Sequence, residues 1–289
     1  MIYKFDHIGI TVPSLEEAKA QLNSATHTCF HTQLGMETGS ALCEVSLHQP
    51  TRLSISLHKK PNSIAIELME YGRIVPLRGS IFPWFFSPKD INDGLAGLKS
   101  ITSETIERAR EKDQIADVLS QFSAQRPFNA VVVAVGDLEA EAAFWQALRF
   151  RKIVGDQEMA VLALASLLPP AETHYILLCK VDFITARYTD AQGINEIALL
   201  CSSCQASLND FHEGVSRTSV SRYSVNDREI SLGYMRSPSG VLGEVFSVGI
   251  AANAIGSPPD GASASVKPRC ECSDSQTEAF EFDPHCGAN

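Results

Sequence analysis

Three groups of residues in this chain have the types and spacing to do chemistry. The first centres on His7, in the stretch Phe5-Asp6-His7-Ile8-Gly9-Ile10-Thr11-Val12. Read as a strand, it alternates, with Ile8, Ile10 and Val12 on one face and His7, Gly9 and Thr11 on the other. If the apolar face is packed, the imidazole stands among small neighbours, open toward a ligand or a metal. A strand histidine serves packing just as readily, and the strand alone leaves both readings open. Glu67 poses a sharper question, because it shares its strand face with Ala65 and Met69. A carboxylate among apolar neighbours needs a cation or a hydrogen-bond donor. The other two groups are cysteines. Cys201-Ser202-Ser203-Cys204 has the two-residue gap of a redox or zinc pair, but one such pair at a strand end reads as structural. Cys270-Glu271-Cys272 with His285-Cys286 has the donors for a soft metal or an intermolecular crosslink, in a stretch with no core to preorganise it.

The elements that would position these residues repeat. After the first strand, Ser14 caps a helix running to about Asn23, with Glu17 at capping-box spacing. Thr26 to Leu34, Ala41 to Leu47, Arg52 to His58 and Ser63 to Glu70 then read as short strands bounded by Gly or Pro. Residues 1–72 thus form one strand-helix-strands unit. Residues 73–126 differ: a turn-rich start around Phe82, Trp84, Phe85 and Phe86 leads into a helical stretch from Asp90 to about Phe122. This is a connector or a degenerate copy of the unit. Pro127 restarts the pattern with a strand from Phe128, a helix capped by Asp137 and strands ending near Val181. Ile194 begins it again, through a helix near Gln205 and strands ending at Val248. Three copies of about 55 to 70 residues result. The adjacent second and third copies are grouped as a pair over 127–249. Residues 250–289, rich in Ala, Ser, Gly and Pro, read as a disordered tail.

Composition narrows the classes. A net charge of −10 over 289 residues, without a dense Lys/Arg run, excludes a nucleic-acid surface. No apolar run approaches the roughly 20 residues of a membrane span, and the N-terminus lacks a secretory pattern, so a cytoplasmic protein is expected. Several of the eight cysteines fall within apolar strand-like runs and read as free thiols.

A βαβββ repeat that opens Asp6-His7-Ile8-Gly9-Ile10-Thr11-Val12, continues Leu15-Glu16-Glu17-Ala18 and closes Ile66-Glu67-Leu68 resembles the vicinal oxygen chelate superfamily of glyoxalases, epimerases and extradiol dioxygenases. The third copy ends Ser237-Pro238-Ser239-Gly240-Val241-Leu242-Gly243-Glu244, similar to that family's closing hairpin. The resemblance implies an α+β fold of repeated βαβββ modules forming cupped mixed sheets. It implies a divalent metal (Zn, Fe, Mn, Ni or Mg) on ligands from the first and last strands of paired modules. His7 and Glu67 take those positions in the first module, Glu196 and Glu244 in the third. Asn129 and Leu178 or Cys179 take them in the second, which is ligand-poor. Adjacent modules two and three would naturally pair. The alternatives are a degenerate fourth module, a homodimer that completes the first module, or a cup built from modules one and three, which would unite all four ligands. The implied activity is that of an isomerase or lyase of the glyoxalase or epimerase type. Its substrate would be a small carbonyl or carboxylate compound, with Glu67 and Glu244 as the proton-moving catalytic residues. A non-catalytic small-molecule binder or drug-sequestering protein of the same fold, and an extradiol dioxygenase, are the alternatives.

Overall fold

The alternation in the first strand decides how the chain packs. In this computed structural model, which describes residues 1–24, 27–74, 81–84, 97–99, 119, 128–182, 188–211, 215–225 and 228–249, β1 spans Ile2–Thr11. Ile8 and Ile10 are fully buried in the main core, leaving His7, Gly9 and Thr11 on the opposite face. Ser14 starts α1 (Leu15–Ser24) by accepting a hydrogen bond from the Glu17 amide at 3.3 Å. β2 (Thr28–Glu37), α2 (Ser40–Val45), β3 (Arg52–Lys59) and β4 (Ala65–Tyr71) complete the first module.

The strand β5 (Ile81–Trp84) precedes the second repeat, which runs β6 (Ala130–Val135), α3 (Leu138–Ala147), β7 (Arg151–Gly155), β8 (Met159–Ala165) and β9 (Thr173–Lys180). Asp137 caps α3 by accepting from the amides of Glu139 and Ala140. The third repeat is β10 (Gly193–Cys201), α4 (Cys204–Asn209), β11 (Ser216–Arg217), β12 (Ser221–Val225), β13 (Arg228–Arg236) and β14 (Leu242–Val248). Ser203 caps α4. The architecture is α+β, with helices packed against mixed sheets, and no described helix is long and apolar enough to cross a membrane.

The pairing differs from the grouping of neighbouring modules over 127–249. One nine-stranded sheet, in the order β11-β13-β14-β10-β1-β4-β3-β2 with β12 added on β13, joins the first module to the third through antiparallel β1 and β10. The second module lies in a separate sheet, β5-β6-β9-β8-β7. The first module therefore completes its sheet within the chain. β5 meets β6 antiparallel, as β1 meets β10, so the 73–126 segment supplies a strand where a degenerate module's opening strand would sit.

Both sheets turn one face to a shared core. Ile8, Ile66, Ile197 and Val245 from the large sheet pack with Val131, Val133, Ile176 and Leu178 from the small one, and α1, α3 and α4 contribute Leu22, Trp145 and Leu208. The stretch expected as a strand from Ala41 to Leu47 is instead largely the helix α2. Ala41, Leu42 and Val45 fall on one helical face and bury it against the large sheet, so tertiary packing decides a short, ambiguous apolar run. Cys201 and Cys204 are buried free thiols whose Sγ atoms donate to the backbone carbonyls of Phe246 and Val245 at 3.2 Å. Most of the expected 90–122 helix, the aromatic residues after Trp84, and the tail with Cys270, Cys272, His285 and Cys286 lie outside the described residues.

Candidate metal centre

Strand register assembles the centre. Parallel pairing sets Gly9 beside Glu67 in β4, and Ala198 beside Glu244 in β14. Antiparallel pairing of β1 with β10 sets Gly9 opposite Glu196 and His7 opposite Ala198. His7 stands two residues before Gly9, as Glu196 stands two before Ala198. The four side chains are thus two equivalent pairs, His7 with Glu67 and Glu196 with Glu244, related by a local twofold between β1 and β10. One ligand atom from each lies within 4.8 Å of the other three. The four residues His7, Glu67, Glu196 and Glu244, expected to come together if modules one and three share a cup, lie in this one cluster.

Gly9 is what lets Glu196 in. A Cβ there would lie 2.3 Å from Glu196 Oε1 and 2.4 Å from its Cγ, so the Glu196 side chain occupies the space over the β1 backbone. His7 is aimed from the other side. Its Nδ1 is 3.0 Å from Asp6 Oδ2, and its Nε2, 3.3 Å from Glu67 Oε2 but with no hydrogen-bond partner, faces the carboxylates. Neither oxygen of the fully buried Glu196 has a hydrogen-bond partner.

The charge states follow from this crowding. Burial, reinforced by Glu244 and Glu67 and opposed by His7, pushes Glu196 well above the usual carboxylate range. Burial raises Glu244 to about 7, with Glu67 adding and His7 and Tyr234 opposing. Burial would lower His7, but its hydrogen bond to Asp6 and the nearby Glu67 and Glu244 carboxylates carry it well above its ordinary value. Three carboxylates packed this closely are relieved either by taking up protons or by a cation. A divalent ion fits the donors, since one imidazole nitrogen and three carboxylate oxygens at about 2.0 to 2.2 Å from a centre would lie within such a span of one another. Oxygen-rich ligands with one imidazole suit Zn, Fe, Mn, Ni or Mg.

Two βαβββ modules, each with its first and last strands parallel neighbours and joined through their first strands, enclose one cluster of ligands. The fold is glyoxalase-like. No family model and no curated protein matches the sequence. Among solved structures, a V278E mutant of glyoxalase I from Zea mays is similar at 14% identity and a TM-score of 0.32, covering 85% of this chain and 68% of its own. A putative dioxygenase from Bacillus subtilis is similar at 12% identity and a TM-score of 0.31, covering 86% of this chain and 63% of its own. A V. cholerae integron cassette protein is similar at 15% identity and a TM-score of 0.30 over 40% of this chain and 90% of its own. The fold is read from the strand order above and not from these likenesses.

The second module contributes no ligand of this kind. Asn129, expected at the histidine's place, precedes β6 and is out of phase with it. The face that does not join the main core carries Ala130, Val132 and Ala134, and Leu177 stands beside Val132 as Glu67 stands beside Gly9. Cys179 lies on that apolar face, while Leu178 points into the main core.

The glyoxalase-like cup is covered. Ala41, Leu42 and Val45 of α2 pack with Met69, Tyr71, Tyr234 and Leu242, on the same sheet face as the ligands. Polar ties hold both ends of α2. The Gly39 amide donates to the Tyr223 hydroxyl at 2.8 Å, the Ala41 amide to Ser221 Oγ at 2.9 Å, and the Leu47 and His48 amides to the buried Asp190 carboxylate at 2.8 and 2.9 Å. Neither α2 nor Asp6 was assigned a part in the site from sequence. For Asp6 the signal was present, since it directly precedes His7, but strict alternation sends neighbouring side chains to opposite faces.

Proposed function

We propose that the protein is a divalent-metal-dependent enzyme of the glyoxalase or epimerase kind, an isomerase or lyase acting on a small carbonyl or carboxylate substrate. The observation that carries this reading is the convergence of His7, Glu67, Glu196 and Glu244 around two unpartnered, fully buried carboxylate oxygens. Bound there, the ion would polarise neighbouring substrate oxygens and so acidify the adjacent carbon. His7, Glu67, Glu196 and Glu244 would hold it. Glu67 and Glu244 occupy equivalent positions on the two sides of the local twofold, so one can take a proton that the other returns from the opposite side. Tyr234, directly across the ladder from Glu244, keeps a protonated phenol beside it because burial and the surrounding carboxylates raise its ionisation well above normal. One imidazole with three carboxylates argues against the extradiol alternative, which wants two histidines and one carboxylate.

The packing of α2 over the cup favours a second reading, a small-molecule binder without turnover. Metal analysis of the purified protein after dialysis against divalent ions separates these possibilities when joined to turnover of small dicarbonyl and carboxylate substrates. The enzymatic reading expects about one ion per chain and a Glu244→Gln variant that retains the ion better than it retains turnover. No stoichiometric ion, together with a Glu244→Gln variant indistinguishable from the parent, overturns it.

A further inference from the structure

Resting on that reading of the centre, we infer that Asp6 is a positioning residue, which with Lys4 fixes the tautomer and orientation in which His7 offers its Nε2 to a metal. β1 and β10 lose register between Phe5 and His7, where two residues of β1 advance against one of β10. Such a bulge re-aims a side chain. It brings the Asp6 carboxylate to the ring of the residue next to it, 3.0 Å from Nδ1. Lys4 pairs with the other oxygen of the same carboxylate. The two oxygens of the Asp6 carboxylate thus each face a separate donor, His7 on one and Lys4 on the other. With Nδ1 donating to Asp6, Nε2 is the nitrogen left facing Glu67, Glu196 and Glu244, and a bound metal would take the place of its proton. A ligating histidine held through its second nitrogen by a carboxylate is both oriented and made more basic.

The arrangement makes a specific demand that an ordinary structural contact does not. Two donors converge on one group, and a carboxylate has an acceptor oxygen for each. An amide has one. In an Asp6→Asn variant the Lys4 ammonium, a full charge, claims the amide oxygen, and the amide NH2 turns to His7 Nδ1. His7 must then accept at Nδ1 and carry its proton on Nε2, the tautomer that cannot ligate. Replacing Lys4 with methionine in the same chain frees the amide oxygen to turn back toward His7.

The test is Co2+ binding by full-length protein, followed by visible absorption and by competition with a chelator, with thermal unfolding of each variant alongside. The wild type is expected to take one Co2+. Asp6→Asn is expected to bind about 10- to 100-fold more weakly, with a changed ligand-field spectrum, and Lys4→Met with Asp6→Asn to recover most of that loss. Wild-type protein that binds no Co2+ overturns the metal-centre reading, and Asp6's role with it. Wild-type binding that Asp6→Asn leaves unchanged overturns only the role of Asp6. A loss that Lys4→Met fails to reverse, with unfolding temperatures equal, overturns the tautomer argument.

Discussion

Replacing Gly9 with alanine adds one methyl group to the face of β1 that carries His7. The backbone at Gly9 is ordinary, so any penalty comes from contact alone. The new Cβ would lie 2.3, 2.4 and 2.5 Å from Oε1, Cγ and Cδ of Glu196, about 1 Å inside normal van der Waals contact with three atoms at once. Glu196 is fully buried, with His7, Glu67 and Glu244 around its carboxylate, so it has no free space to retreat into. Overpacking of this kind costs about 1 to 3 kcal/mol. The larger effect is on ligation. Glu196 must swing away from the centre, and losing a direct ligand is expected to weaken Co2+ binding by more than the about 10- to 100-fold that loss of an outer partner costs. Chelator competition reads the affinity, and urea unfolding of the metal-free protein reads the stability. Adding Glu196→Ala to Gly9→Ala removes the clashing atoms, so stability should return while metal binding stays lost. Gly9→Ala protein with unchanged unfolding midpoint and unchanged Co2+ affinity would refute the argument, because it would mean that Glu196 does not lie over Gly9.

Two other outcomes follow from the same geometry. Asp190→Ala removes the buried acceptor of the Leu47 and His48 amides and of His48 Nδ1. It should cost about 2 to 4 kcal/mol and speed amide hydrogen exchange across residues 41–46; unchanged exchange there would mean that α2 is held by its apolar face alone. His58 and His174, buried outside the metal centre, are both lowered to about 4 from 6.5, by burial first and then by nearby cationic groups. A lowered histidine favours the neutral form in the folded state, so the unfolded chain binds more protons between those values. Stability is therefore full above about 6.5 and falls as pH drops toward 4, by about 2 kcal/mol per histidine at pH 5. Urea unfolding at pH 7 and pH 5 should show this, and His58→Gln should flatten its share of the slope.

The parts of the fold that local pattern governs could be read directly. The two faces of β1, the caps at Ser14 and Asp137, and the carboxylate stranded at Glu67 all declare themselves within a few residues. The four ligands came from the family resemblance, because nothing local connects His7 to Glu244. Four features escaped for separable physical reasons. Which modules share a sheet depends on edge pairing between distant strands, and chain adjacency pointed to the wrong partner. Asn129 was placed on the ligand face by a one-residue phase error, and in a strand that error exchanges the two faces entirely. Asp6 acts beside His7 only because β1 carries a bulge, and a bulge leaves no mark in an alternating sequence. α2 is six residues long, too short for helical periodicity to be distinguished from a strand.

The union of β1 with β10 also dictates an order of events. Roughly 190 residues separate Gly9 from its partner Glu196, which at about 5 to 20 residues per second is some 10 to 40 s of synthesis. Through that interval β1, which carries His7 and pairs on one side with the Glu67 strand β4, has no native neighbour on its other edge, and an open edge invites pairing with other chains. Half of the candidate ligand cluster is made early and must be kept from foreign strands. The other half arrives with nearly the last described residues, so an ion that needs all four ligands can enter only a chain that has already found its long-range partner.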